Sequence, residues 1–151
     1  MATCFLFGNR LCPDISEKDI LEAVMFHHNV LGVHNFVVAG SEYGMFNALA
    51  ATALRSAAQT CNITLSLLLY YHPQEKAFQL PDGFHNSVYP PLESVPRRFA
   101  ISKGNTYMIR TADTVICFVK YAGNSRALLE LALRRQVKGE LVVHNLASEK
   151  V

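Results

Sequence analysis

The chain has 151 residues, half of them hydrophobic, with 14 basic and 12 acidic residues for a formal net charge of +2. That length suits one domain with a buried core. The near balance of charge, with Arg97–Arg98 and Arg134–Arg135 as the only basic doublets, gives no sign of a nucleic-acid surface. Cys4, Cys12, Cys61 and Cys117 form no Cys-x-x-Cys, and three of them lie in or beside apolar runs, which fits reduced thiols rather than a disulfide framework. No apolar stretch approaches the length of a membrane span, and no basic segment precedes the first apolar run. A soluble, cytoplasmic protein without membrane association is expected.

In chain order, Cys4 to Phe7 is a short unbroken apolar run, the mark of a strand covered on both faces. Asp14 with Glu17 has capping-box spacing and opens a helix with Ile20, Leu21, Val24, Met25 and Leu31 on one face. Gly32 suits the end of that helix. A second strand spans Asn35 to Ala39, and an alanine-rich helix follows from about Met45 to Ala58. Ile63 to Tyr71 reads as a third strand. From His72 to about Pro96 the prolines and Asp82–Gly83 break any periodicity, so residues 72–96 read as a long flap after a strand's carboxyl end. A helix over roughly Arg97 to Arg110, a strand from Thr114, a helix over Ser125 to Arg135 and a strand from Leu141 complete the chain. Alternating strands and helices predict an α/β fold. It is a single Rossmann-like three-layer domain over residues 1–151, with a mainly parallel sheet of about five strands.

Three apolar runs stop at small glycine-bearing turns just before a helix: Gly8–Asn9–Arg10, Gly40–Ser41–Glu42–Tyr43–Gly44 and Gly123–Asn124–Ser125. Such turns place backbone N–H groups and helix N-termini at the carboxyl edge of the sheet, where anions bind. Each also has a plainer reading. Arg10 is either an anion ligand or a surface arginine, the second turn is neither GxGxxG nor a Walker loop, and Asn124 or Ser125 as a helix cap accounts for the third. Glu42 sets a negative charge near any phosphate bound there. The six histidines show no ligand spacing, so no metal is expected. No nucleophile elbow or cysteine–histidine pair is visible either.

The segment Tyr89 to Val119, YPPLESVPRRFAISKGNTYMIRTADTVICFV, resembles the most recognisable block of the YpsA-like branch of the SLOG superfamily. These are Rossmann-like domains related to DprA and the LOG proteins. The matching places are Pro96, Arg98, Phe99, Ala100, Ile101, Asn105, Tyr107, Met108 and Asp113. Gly8 and Arg10 match an opening Phe-x-Gly-His-Arg, Gly44-Met45-Phe46-Asn47 matches a Gly-x-Phe-Asp, and Gly123-Asn124-Ser125 with Ala132 matches a Gly-Gly-Thr helix start. The resemblance covers nearly the whole chain. It implies a pocket for a nucleotide or an ADP-ribose-like molecule, contacted by Gly8, Asn9, Arg10, Gly40, Ser41, Gly44, Asn47, Arg98, Asn105, Gly123, Asn124 and Ser125.

Departures from the branch pattern share a direction. Asn9 replaces a histidine, Asn47 an aspartate, Gly104 an arginine and Asn124 a glycine. An amide hydrogen-bonds but does not serve as general acid or base near neutral pH. The expectation is therefore a non-catalytic sensor or carrier. Two alternatives remain open. One is a LOG-type nucleoside-monophosphate N-glycosidase (a phosphoribohydrolase), for which Glu130 aligns with the LOG glutamate while Asn124, Arg126 and Ala127 replace its glycines and threonine. The other is an interaction protein whose crevice is filled by its own side chains, such as Tyr43, Phe46 or Tyr121. The superfamily implies a homodimer or higher homo-oligomer.

Overall fold

The computed structural model describes residues 2–149. Six strands form one fully parallel sheet: β1 (Thr3–Gly8), β2 (Asn35–Ala39), β3 (Thr64–Leu68), β4 (Asn86–Val88), β5 (Thr114–Phe118) and β6 (Val142–Asn145). Their spatial order is β4-β3-β2-β1-β5-β6. Four helices cover the sheet: α1 (Glu17–Asn29), α2 (Met45–Ala58), α3 (Ala100–Thr111) and α4 (Asn124–Val137). Among the described residues no helix is long and apolar enough to cross a membrane.

The apolar strand runs split by the two-residue period of a strand. Cys4, Leu6, Phe36, Val38, Leu65, Leu67, Ile116 and Phe118 face α1 and α2, meeting Ile20, Val24, Phe46, Ala50, Ala53 and Leu54. Their neighbours Phe5, Phe7, Val37, Ala39, Leu68, Val115 and Cys117 face the other layer, meeting Ala100, Met108, Ile109, Leu128, Leu129 and Ala132 of α3 and α4. This is the single Rossmann-like three-layer domain expected, with six strands where about five were counted.

The additional strand, β4, lies inside the segment read as a flap. Its backbone pairs Ser66 with Asn86 and Leu68 with Val88. The Ser66 hydroxyl bonds both the Asn35 and the Asn86 side chains, and Asn35 in turn donates to Thr3 at 3.3 Å. A polar ladder thus ties four strands side to side, and the proline-rich segment is pinned at its middle. Its free portion is the stretch between β3 and β4, with a second loop from β4 to the 3-10 turn Arg97–Phe99.

The start of α1 differs from the expected cap. Ser16, not Asp14, is the N-cap, in a reciprocal box with Asp19. The Asp19 carboxylate accepts the Ser16 N–H at 2.9 Å, and the Ser16 hydroxyl accepts the Asp19 N–H at 3.4 Å. Asp14 is drawn away by partners from beyond β5, as its carboxylate accepts from both Lys120 and Tyr121.

Candidate functional site: the carboxyl edge of the sheet

From β1 the chain moves outward through β2, β3 and β4, then returns to the far side of β1 to lay down β5 and β6. Ligands of open α/β sheets bind beyond the strands' carboxyl ends at that reversal. Here it lies between Gly8 of β1 and Phe118 of β5, which pair in the ladder. The first and third glycine turns do meet there, but side chains of each bond the backbone of the other.

Asn9 is buried. Its side-chain oxygen accepts the backbone N–H groups of Lys120 at 2.8 Å and Tyr121 at 3.1 Å, and its amide donates to the Tyr121 carbonyl at 3.1 Å. Both acceptor sites are spent on the turn after β5. Ser125 donates its hydroxyl to the Gly8 carbonyl at 2.9 Å. The N-cap of α4 is Gly123, without a side-chain cap, in place of the Asn124 or Ser125 expected; the Ser125 hydroxyl closes the end of β1 instead. Gly8 is a glycine because Phe46 needs its space: a Cβ there would lie 2.6 Å from the Phe46 ring, which is fully buried. The first turn of α2 therefore drives a phenyl ring onto the strand end. The Arg10 carbonyl takes the Met45 N–H at 2.8 Å, occupying the first donor of α2, and Asn47 braces its own turn by donating to the Gly40 carbonyl at 3.2 Å. Outside, Lys120 pairs with Asp14 at 2.7 Å, a bond that raises the lysine pKa, and Tyr121 donates to the same carboxylate. Arg10, Gly123 and Asn124 are left exposed at the rim.

The open space at this edge lies two strands away. A cavity of about 300 Å³ at the ends of β2 and β3 is lined by Gly40, Ser41, Glu42, Tyr43, residues Leu67 to Tyr71, and Lys76 to Gln79 with Pro81 from the flap. A second, of about 290 Å³, shares Tyr70 and Tyr71 and adds His72, Glu75, Tyr89, Leu92, Glu93, Val95, Arg97 and Ala100. Tyr70 is buried, meets Tyr43 edge-on at 4.8 Å, and donates its hydroxyl to Asn105 at 2.6 Å. Burial, reinforced by Tyr43, raises its pKa far above the ordinary value, so it stays a neutral donor. Tyr71 separates the two cavities and carries a cation from each. The Lys76 ammonium is 5.4 Å from its ring centre and the Arg97 guanidinium 4.3 Å. Lys76 also lies 5.6 Å from the Tyr43 ring and donates to its hydroxyl at 3.4 Å. Arg97 is ion-paired with Glu75. The Glu42 carboxylate folds over Gly40 at the cavity rim.

Of the twelve expected contacts, Gly40 and Ser41 line the first cavity and Asn105 reaches it through Tyr70. Arg98 points elsewhere: it is exposed, with its guanidinium 4.7 Å from the Phe99 ring, and its neighbour Arg97 takes the cavity position. Gly104 has a packing reason, since a Cβ there would lie 2.8 Å from the Tyr70 ring. Glu130 is exposed on α4 and lines neither cavity. Tyr43, Tyr70, Tyr71, Lys76 and Arg97 went unassigned as site residues from sequence. For Tyr70, Tyr71, Lys76 and Arg97 the one signal was position, in or beside the flap that follows a strand end; Tyr43 stood in the second glycine turn and was weighed only as a side chain filling the crevice.

A third cavity, of about 490 Å³, lies away from this edge between α1 and β6. The rings of His27 and His144 stack there with Nε2 and Nδ1 3.2 Å apart, and the His27 Nδ1 bonds the Thr114 hydroxyl at 2.9 Å. Burial, then the neighbouring His144, lowers the His27 pKa to about 4 and keeps it neutral. Among the described residues no group of three or more His, Cys, Asp or Glu is placed to hold a metal ion.

No protein-family model matches the chain, and no curated protein matches it in sequence.

Proposed function

We propose that this domain is a non-catalytic binding module for a nucleotide-type ligand, a sensor or carrier of the kind the SLOG resemblance implies. In this reading the ligand lies under the flap at the ends of β2 and β3, not at the β1–β5 reversal. The observation that carries it is the lining of the first cavity: Tyr43, Tyr70 and Tyr71 with the Lys76 ammonium at one rim. Aromatic faces stack bases, at about 1–3 kcal/mol each, and a charge-assisted bond to a phosphate adds about 1.5–3 kcal/mol. The volume, about 300 Å³, lies at the small end of the range for ligand sites.

Thermal unfolding in the presence of AMP, ADP, ADP-ribose, NAD and cyclic nucleotides tests it. A ligand at 100 times its Kd adds about 2.7 kcal/mol of stability. No shift with any of them at millimolar concentration contradicts the proposal. The self-bonded reversal favours a second reading, an interaction protein with a vestigial pocket, for which Phe46 on Gly8 is the specific support. Silence across the ligand series together with a defined oligomer by light scattering selects that reading. Against an N-glycosidase role, Glu130 is exposed on α4 and lines neither cavity, and hydrolysis of nucleoside monophosphates unchanged by Glu130→Gln is the expected result.

A further inference from the structure

We infer that Lys76 occupies, in the empty site, the place a ligand ring would take, so that the site admits only molecules joining an aromatic ring to an anionic group. This rests on the binding reading above and adds a rule for selectivity. The Lys76 ammonium lies within cation–π range of both Tyr43 and Tyr71. It has no carboxylate partner among the described residues, and its one hydrogen bond, to the Tyr43 hydroxyl, is long at 3.4 Å. Arg97, the other cation on Tyr71, is tethered by Glu75 and lines the second cavity. Lys76 is therefore the cation free to leave, and the face it vacates opens on the first cavity.

A ring that enters alone must strip the ammonium from two aromatic faces and return it to water. An anion that enters alone draws the ammonium away and leaves the faces bare. A molecule with both groups replaces each contact it breaks: its ring covers Tyr71 and its anion takes the ammonium. The flap supplies Lys76, and the strand end supplies Tyr71, so the exchange also sets the flap position by what is bound.

Calorimetric titration of the full chain with adenosine, ribose 5-phosphate and AMP, in the wild type and in Lys76→Ala, tests the rule. The wild type should bind AMP at least tenfold more tightly than either fragment. In Lys76→Ala the AMP and adenosine affinities should converge, and adenosine should bind several-fold more tightly than to the wild type because its face is already clear. AMP binding to the wild type with adenosine affinity unchanged by Lys76→Ala would overturn the inference, leaving Lys76 a simple phosphate ligand and the binding reading intact. Adenosine and AMP weakened in equal proportion would overturn it too, making Lys76 a flap support. No binding of any of the three to the wild type, together with no thermal shift from ADP, ADP-ribose, NAD or cyclic nucleotides, would instead remove the binding reading on which the inference rests. Circular dichroism and the melting temperature of the variant separate these results from a folding defect.

Discussion

Two halves of one sheet edge are built from the same materials and end differently. At β1 and β5 the turns bond each other through Asn9 and Ser125, and Phe46 packs onto Gly8. At β2 and β3 the strand ends and the flap leave about 300 Å³ of space lined by Tyr43, Tyr70 and Tyr71, with the Lys76 ammonium over two of those rings. The fold offers the first half as the binding position by topology. What fills it is a matter of individual side chains: one phenyl ring and one amide convert a crevice into core. The second half holds its cations over rings rather than in a full set of ion pairs, an arrangement that a ligand can displace.

The sharpest way to break this contrast is Phe46→Ala. If Phe46 is core, its removal costs about 3–5 kcal/mol, read as a lower denaturation midpoint in urea at constant slope. A change below about 1 kcal/mol would mean the ring is a loosely held plug over a usable pocket. Next is Asn9→Ala, which strands the Lys120 and Tyr121 N–H groups and should cost about 1–3 kcal/mol while leaving any nucleotide affinity unaltered. A variant of normal stability that loses ligand binding would return Asn9 to the site. Gly104→Ala probes the other half: the added methyl meets the Tyr70 ring at 2.8 Å, so a cost of about 1–3 kcal/mol is expected, with calorimetry showing weakened binding as Tyr70 shifts. Tyr70→Phe, which keeps the ring and loses the bond to Asn105, should cost less, about 1 kcal/mol.

Much of the architecture was legible because it depends on local pattern. The unbroken apolar runs at Cys4 and Thr114 give strands buried on both faces, and the alanine-rich run gives α2 with the expected limits, Met45–Ala58. Where a choice depended on distant partners, the local pattern misled. Asp14–Glu17 and Ser16–Asp19 have the same spacing, and what separates them is Lys120 and Tyr121, over a hundred residues away, claiming Asp14. The three-residue β4 is too short to show a period, and the Ser66–Asn86 bond that seats it is likewise long-range. The same holds for the site. Glycine turns are visible in sequence, but whether Gly8 clears space for a phosphate or for Phe46 is decided by where α2 begins relative to β1. Arg97 and Arg98 are adjacent and chemically alike, and the 3-10 turn at Arg97–Phe99 determines which one reaches Tyr71.

Amide hydrogen exchange with and without saturating AMP tests the central claim most directly, because it reports both halves of the edge at once. Protection is expected at residues 40–43, 67–71 and 76–79, with none added at 8–10 or 120–125. Protection confined to residues 8–10 and 120–125, or absent from both halves, would contradict it.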